Sequence, residues 1–172
     1  SEPVPRDRNL VQAIRSLDDQ IATINLYGER LHEWYGMYFP ELADYAHDKR
    51  YAELVARCGD RDAVMEELGI EIESIGADMD EEDIRAIMDL ADTLDRLYED
   101  GDRTEAYIRG IVEQTCPNLC AMLGGPLAAR MVSLAGGLER LASLPSSTVQ
   151  LLGAEKAMFR AMRSGKRGPK HG

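Results

Sequence analysis

Apolar side chains recur along the first forty residues at a spacing that fits a helix and no other element. Leu10, Ile14, Leu17, Ile21, Ile24, Gly28, Leu31, Tyr35 and Tyr38 follow one another at alternating steps of four and three. All but Gly28 are apolar or aromatic, so the pattern is an a/d seam sustained over four heptads. Gly28 costs helix propensity but permits a close approach on that seam. The opposite positions carry Arg15, Asp18, Asp19, Glu29 and Arg30, a solvated face. Pro40 sets a stop, which predicts a helix over 7–39, roughly 50 Å long.

A second seam follows the acidic run Asp80-Glu81-Glu82-Asp83, which complements the positive end of a helix macrodipole. It reads Ile84, Ile87, Ala91, Leu94, Tyr98, Gly101, Glu105, Ile108 and Val112. The stripe weakens at Gly101-Asp102 and then resumes, which predicts a local defect or kink rather than an end. Two long helices of matched length, each with one apolar seam, pack most simply as an antiparallel coiled-coil hairpin. Between them, about 40–80, Tyr45, Tyr51, Leu54, Val55, Val64, Leu68, Ile70, Ile72 and Ile75 are too apolar for a plain loop. Short helices near 41–57 and 61–68 would form a knob able to bury little by itself, and self-association through it is expected.

From Cys116 the character changes. Pro117, Gly124-Gly125-Pro126, Gly136-Gly137, Pro145 and Gly153 cut the chain into short helical pieces. No stretch alternates with period two, so the fold class is all-α: a coiled-coil hairpin over 1–115 and a compact multi-helix domain over 116–172.

Charge sharpens this division. The chain of 172 residues carries net −11, but residues 1–115 hold 12 basic and 29 acidic side chains, whereas 116–172 hold eight basic and two acidic. Lys156, Arg160 and Arg163 are spaced by four and three on one helix face, and Lys166, Arg167, Lys170 and His171 follow. Gly153-Ala154 precedes that helix, so backbone N–H groups can meet a phosphate. A cationic end on an acidic chain points to nucleic-acid contact. Phe159 and Met158 lie among the cations, where core packing outweighs base stacking.

Little else suggests chemistry. His32, His47 and His171 have no metal-like spacing, and Cys116 and Cys120 lack zinc-set partners. Ser146-Ser147 has no nearby His or Asp, and the paired glycines lack a phosphate-loop context. No catalytic constellation is found. Three cysteines do not make a disulfide framework and fit reduced thiols in a cytosolic protein. No apolar run is long enough to span a membrane, and the start Ser1-Glu2-Pro3-Val4-Pro5 has no secretory h-region and no initiator Met, as expected of an excised fragment.

The ordered set Cys116-Pro117-Asn118-Leu119, Leu127-Ala128-Ala129-Arg130, Ala135-Gly136-Gly137-Leu138, Leu144 through Gln150 and Leu151 through Lys156 resembles the Nop domain. Upstream, Leu26-Tyr27-Gly28-Glu29-Arg30-Leu31, Trp34-Tyr35 and Phe39-Pro40-Glu41-Leu42 resemble the coiled-coil domain preceding it in that family, so the likeness covers nearly the whole chain. The nearest branch is the archaeal scaffold of box C/D small ribonucleoproteins, which guide RNA 2′-O-methylation. The resemblance implies a homodimer through the coiled coil and a Nop domain that binds guide RNA together with a small kink-turn-binding protein. A further N-terminal domain, absent here, would hold the fibrillarin methyltransferase. Methyl transfer would belong to fibrillarin and its S-adenosylmethionine, leaving this chain non-catalytic and without a cofactor.

By position, Gly153-Ala154-Glu155-Lys156 matches the family signature at the RNA–protein surface, with Gln150 and Asn118 on the same surface. Ala157-Met158-Phe159-Arg160 matches the stretch linked to placing the guide–substrate duplex, with Met158 in place of Leu. The spliceosomal branch departs from Gly-Ala-Glu-Lys and is the lesser alternative; a coiled-coil assembly module without RNA binding is another. Family sequence continues past His171-Gly172, so the resemblance implies a truncated Nop domain. The expected location is cytoplasmic in an archaeal cell, or nucleolar in a eukaryote.

Overall fold

A computed structural model of the chain describes residues 1–115, with Pro117 and Ala121. The described residues are helical and contain no strand. In order they form α1 (Arg6–Tyr35), a 3-10 turn η1 (Pro40–Asp44), α2 (Asp48–Cys58), α3 (Arg61–Leu68) and α4 (Glu81–Thr115). They fall into two compact units, and α1 and α4 supply residues to both. The compact domain expected over 116–172 lies outside the described residues, apart from Pro117 and Ala121.

The first unit contains Ser1–Ile21 and the described residues from Asp100 onward. Leu10, Ala13, Ile14 and Leu17 of α1 are buried, as are Ile108, Ile111 and Val112 of α4. Arg6 donates to Gln114 Oε1 at 3.2 Å, and Gln20 Nε2 donates to Thr104 Oγ1 at 3.0 Å. Ascending on α1 therefore means descending on α4, so these two segments run antiparallel. The expected weakness near Gly101 is not an end, because α4 continues through it. Gly101 is buried, and Thr104 Oγ1 donates back to the Asp100 carbonyl at 3.0 Å. A polar layer thus interrupts the apolar stripe within an unbroken helix.

The second unit contains Ala22–Glu99. One core joins Ile24, Leu31 and Tyr35 of α1 to Ile87, Ala91 and Leu94 of α4, and to Leu42, Tyr51, Leu54, Val55 and Val64 between them. The stretch between the long helices therefore buries Tyr51, Leu54, Val55 and Val64 against α1 and α4 rather than by itself, while Tyr45 and Ile75 stay exposed. Tyr35 organises the centre, meeting Tyr38, Phe39 and Tyr51 edge-to-face with ring centroids 5.7, 6.3 and 6.2 Å away. Its hydroxyl donates to the Gly59 carbonyl at 2.7 Å, satisfying a buried polar group. Burial pushes the Tyr35 phenol far above its ordinary range, so it remains a donor.

Two helix boundaries differ from expectation. α1 ends at Tyr35 rather than Phe39. Met37 and Tyr38 donate to carbonyls only three residues back, at 3.2 and 2.9 Å, which tightens the last turn. Pro40 has no N–H and disfavours helical backbone at Phe39, whose φ −139 and ψ 73 lie outside the α region. The segment 41–57 divides into η1 and α2. Continuing the Leu42–Ala46 face as one helix would bring Lys49, Arg50 and Glu53 onto the core side. Restarting at Asp48 instead turns Tyr51, Ala52, Leu54 and Val55 inward. The segment 61–68 matches α3, whose N-cap Asp60 accepts from the Ala63 amide at 3.1 Å.

Glycines separate into required and replaceable. A Cβ on Gly76 would lie 1.9 Å from the Tyr38 carbonyl oxygen, a backbone atom that cannot swing away. Gly28 has nothing within 4 Å of its would-be Cβ, so the close approach expected on the seam is not made among the described residues. Gly76→Ala should lower stability by about 1–3 kcal/mol, whereas Gly28→Ala should raise it by roughly 0.5–1 kcal/mol through helix propensity. Urea unfolding midpoints of the two variants should move in opposite directions.

Candidate functional site

Of the site residues expected from sequence, Asn118, Gln150, Gly153, Ala154, Glu155, Lys156, Ala157, Met158, Phe159, Arg160, Arg163, Lys166, Arg167, Lys170 and His171 lie outside the described residues. The expected seam residues are described. Leu10, Ile14, Leu17, Ile24, Leu31, Ile87 and Leu94 are buried, while Ile21 and Ile84 are half-buried. Leu10, Ile14, Leu17 and Ile21 belong to the first unit; Ile24, Leu31, Ile84, Ile87 and Leu94 belong to the second.

Charge follows the same division. The stretch Ala22–Glu99 carries 21 acidic and seven basic side chains, net −14. Residues 1–21 and 100–115 together carry eight acidic and five basic, net −3, and residues 116–172 carry net +6. A polyanion is repelled by the first of these stretches and attracted by the last. Any nucleic-acid surface on this chain is therefore favoured toward the cationic end.

Within the second unit, charged side chains act as fasteners. Lys49 of α2 contacts Asp95 of α4 at 2.6 Å, Glu53 at 3.0 Å and Glu99 at 3.6 Å. Partial burial disfavours the ammonium, but the hydrogen bonds to Asp95 and Glu53 outweigh it and hold Lys49 above its ordinary range. The more elaborate arrangement ties down the strap between Gly69 and Asp80, which has no regular secondary structure. Arg61 Nη1 donates to the Tyr38 carbonyl at 2.7 Å and to the Gly76 and Ala77 carbonyls at 3.3 Å each. Its Nη2 pairs with Asp78 at 2.5 Å, and the guanidinium lies 4.5 Å from the Tyr38 ring centroid. The planar fork of arginine satisfies this set where a lysine could not.

Glu41 holds the strap from the other side. Its carboxylate accepts from the Ile75 amide and the Ser74 hydroxyl, each at 2.7 Å. Partial burial pushes this carboxyl up, but the two hydrogen bonds prevail and hold it below its ordinary range. Sequence reasoning missed Arg61, Glu41 and Lys49 as fasteners. Their partners are backbone carbonyls, an amide and distant carboxylates, none of which leaves a spacing signal. Asp60-Arg61 at the head of a short helix is the one local cue, and it reports a cap rather than a clasp.

Burial also raises the Cys58 thiol, consistent with a packed side chain rather than a nucleophile. Among the described residues no cluster of His, Cys, Asp or Glu is arranged to hold a metal ion. Among them, too, no helix is long and apolar enough to cross a membrane.

Comparison with known proteins adds three findings. The family described as "snoRNA binding domain, fibrillarin", the Nop family, matches residues 16–172. An uncharacterized NOP5 family protein of Methanocaldococcus jannaschii is 36% identical over 97% of this chain and 44% of its own length. Nucleolar protein 58 of Schizosaccharomyces pombe is 36% identical over 96% of the chain and 36% of its own length. That of Aspergillus terreus is 38% identical over 96% of the chain and 31% of its own length. The chain thus spans less than half the length of these relatives.

The Glu41 clasp gives a pH dependence. Its folded pKa is depressed, so its stabilising effect is fully present above the unfolded carboxyl pKa and is lost as pH falls through the folded value. In an NMR titration, the Ile75 amide should shift upfield with a midpoint below 4.5, the ordinary value for this side chain. Glu41→Gln should abolish that step.

Proposed function

Because the chain belongs to the Nop family, which it matches from residue 16 to residue 172, we propose that it is a non-catalytic scaffold segment of a box C/D ribonucleoprotein that guides RNA 2′-O-methylation. Residues 116–172 form the RNA-facing Nop domain, and residues 1–115 form the helical arm through which two copies associate. Lys156, Arg160, Arg163, Lys166, Arg167, Lys170 and His171 supply attraction to the phosphate backbone. Gly153, Ala154, Glu155, Gln150 and Asn118 face the composite of kink-turn RNA and its small binding protein. Ala157, Met158, Phe159 and Arg160 place the guide–substrate duplex.

The observation that carries this reading is the family match over nearly the whole chain, and the charge separation supports it independently. Six cations against one acid occupy 155–172, in a chain whose net charge is otherwise strongly negative. Such a chain binds RNA through one end only, and weakly unless a partner adds contact area. Selectivity then rests on kinked RNA shape and on the bound partner more than on base edges. Fibrillarin would be recruited by a separate domain of the longer protein, and the methyl transfer would be its chemistry. The name Nucleolar protein 58, carried by several relatives, supports a nucleolar site in a eukaryote.

A gel shift on a box C/D kink-turn RNA tests the proposal, with and without the small kink-turn-binding protein, at two salt concentrations. The expected result is a supershift only with the partner, weakening as salt rises. Lys156→Ala with Arg160→Ala should weaken the ternary complex and lower the salt slope by about two, one per lost cation. Their mass by light scattering should match that of the unaltered chain. Unchanged RNA affinity in the double variant would remove these residues from the site; no shift under any condition would leave an assembly module without RNA binding.

A further inference from the structure

Apolar burial on the two long helices is interrupted at one level. Among the buried apolar side chains, α1 passes from Leu17 to Ile24 and α4 from Leu94 to Ile108, about 21 Å of helix on the α4 side. The intervening positions hold a polar layer that belongs to the first unit: Gln20 of α1, with Gly101 and Thr104 of α4. Ile21 beside it is only half-buried. The cluster of buried residues that fills the second unit starts at Ile24 and ends at Leu94, and it contains none of the buried residues described for the first.

The layer is poorly satisfied. Gln20 Nε2 donates to Thr104 Oγ1, but Gln20 Oε1 is buried and accepts no hydrogen bond among the described residues. Thr104 Oγ1 donates to the Asp100 carbonyl, so its one proton is already committed. A buried acceptor without a donor carries a desolvation cost that the single Gln20–Thr104 bond does not recover. Gly101 adds the cost of a helical residue with no side chain to pack. Where apolar contact lapses, little ties the folding of one stretch to that of the next, and local opening follows such boundaries.

We propose that this layer makes the first unit a separately opening segment of the arm: α1 up to Gln20 and α4 from Thr104 onward come apart while the second unit stays folded. The chain runs on from α4 into residues 116–172, so the opening reaches the root of the segment assigned to RNA. That consequence rests on the proposed function; the opening itself does not.

Amide hydrogen exchange of the full chain, followed residue by residue by NMR at increasing urea below the unfolding transition, tests the opening. No RNA is present, so the outcome is separate from that of the gel shift. The amides of Ile14, Leu17, Ile108 and Ile111 should exchange through an opening roughly tenfold or more populated than the one that exposes Leu31, Tyr35, Ile87 and Ala91. Gln20→Leu with Thr104→Val removes both polar partners together and should slow exchange in the first unit by roughly tenfold. Gly28→Ala alters the second unit alone. It should slow exchange there by roughly two- to fivefold through helix propensity and leave the first unit's rates unchanged.

One shared opening, with equal rates and equal urea dependence across both units, would overturn the proposal. So would unchanged first-unit exchange in the Gln20/Thr104 variant, or an equal slowing of both units in Gly28→Ala.

Discussion

A helix with an apolar stripe along its whole length needs a cover along its whole length, and α1 poses that requirement from Leu10 to Tyr35. Over the first unit the cover is one antiparallel segment of α4, placed by the Arg6–Gln114 and Gln20–Thr104 hydrogen bonds. Over the second unit, the end of α1 and the turn after it present Tyr35, Tyr38 and Phe39, whose bulk one facing helix cannot enclose. The chain between the long helices supplies the remainder, through Leu42, Tyr51, Leu54, Val55 and Val64. The hydroxyls of Tyr35 and Tyr38 then meet the α2–α3 connection at Gly59 and Asp60, so the same aromatic residues place the short helices as well as burying them.

Enclosing those aromatics leaves a linking problem. After α3 the chain must reach the start of α4 without regular secondary structure, and its backbone groups need partners over that distance. Arg61 supplies several donors and Glu41 two acceptor oxygens. Both side chains are anchored on elements fixed by the core. Order in the strap therefore derives from packing elsewhere: loosening Tyr38 would displace a carbonyl that Arg61 binds and the ring against which it rests.

Period-3.6 patterning made the two long helices legible, because an apolar stripe is a direct consequence of burial on one side. Gly28 shows the limit of that reading: position on a seam does not establish what the seam touches, and no neighbour approaches it among the described residues. The early end of α1 escaped notice because Pro40 marks where a helix can no longer run, whereas the tightened hydrogen bonds of Met37 and Tyr38 end it sooner. The break before α2 follows from rotational phase, visible only once the core lies on a known side of Leu42. Clasp residues such as Arg61 were hidden for a different reason. Their partners are backbone atoms far away in sequence, and a charged residue with such partners reads like any solvated one. The cationic residues from Lys156 to Lys170 were legible as charge, a one-dimensional property.

Charge separation gives the chain a direction that its helices alone lack. An acidic stretch does not bind RNA, but it lowers the cost of specificity at the cationic end by repelling phosphate elsewhere. Single-site engagement then depends on a few cations whose attraction is screened over about 8–10 Å at ordinary ionic strength. Under the proposed function, a scaffold of this kind would gain affinity through added partner surface rather than through more charge. The acidic stretch 22–99, at net −14, repels a polyanion as the last stretch attracts one.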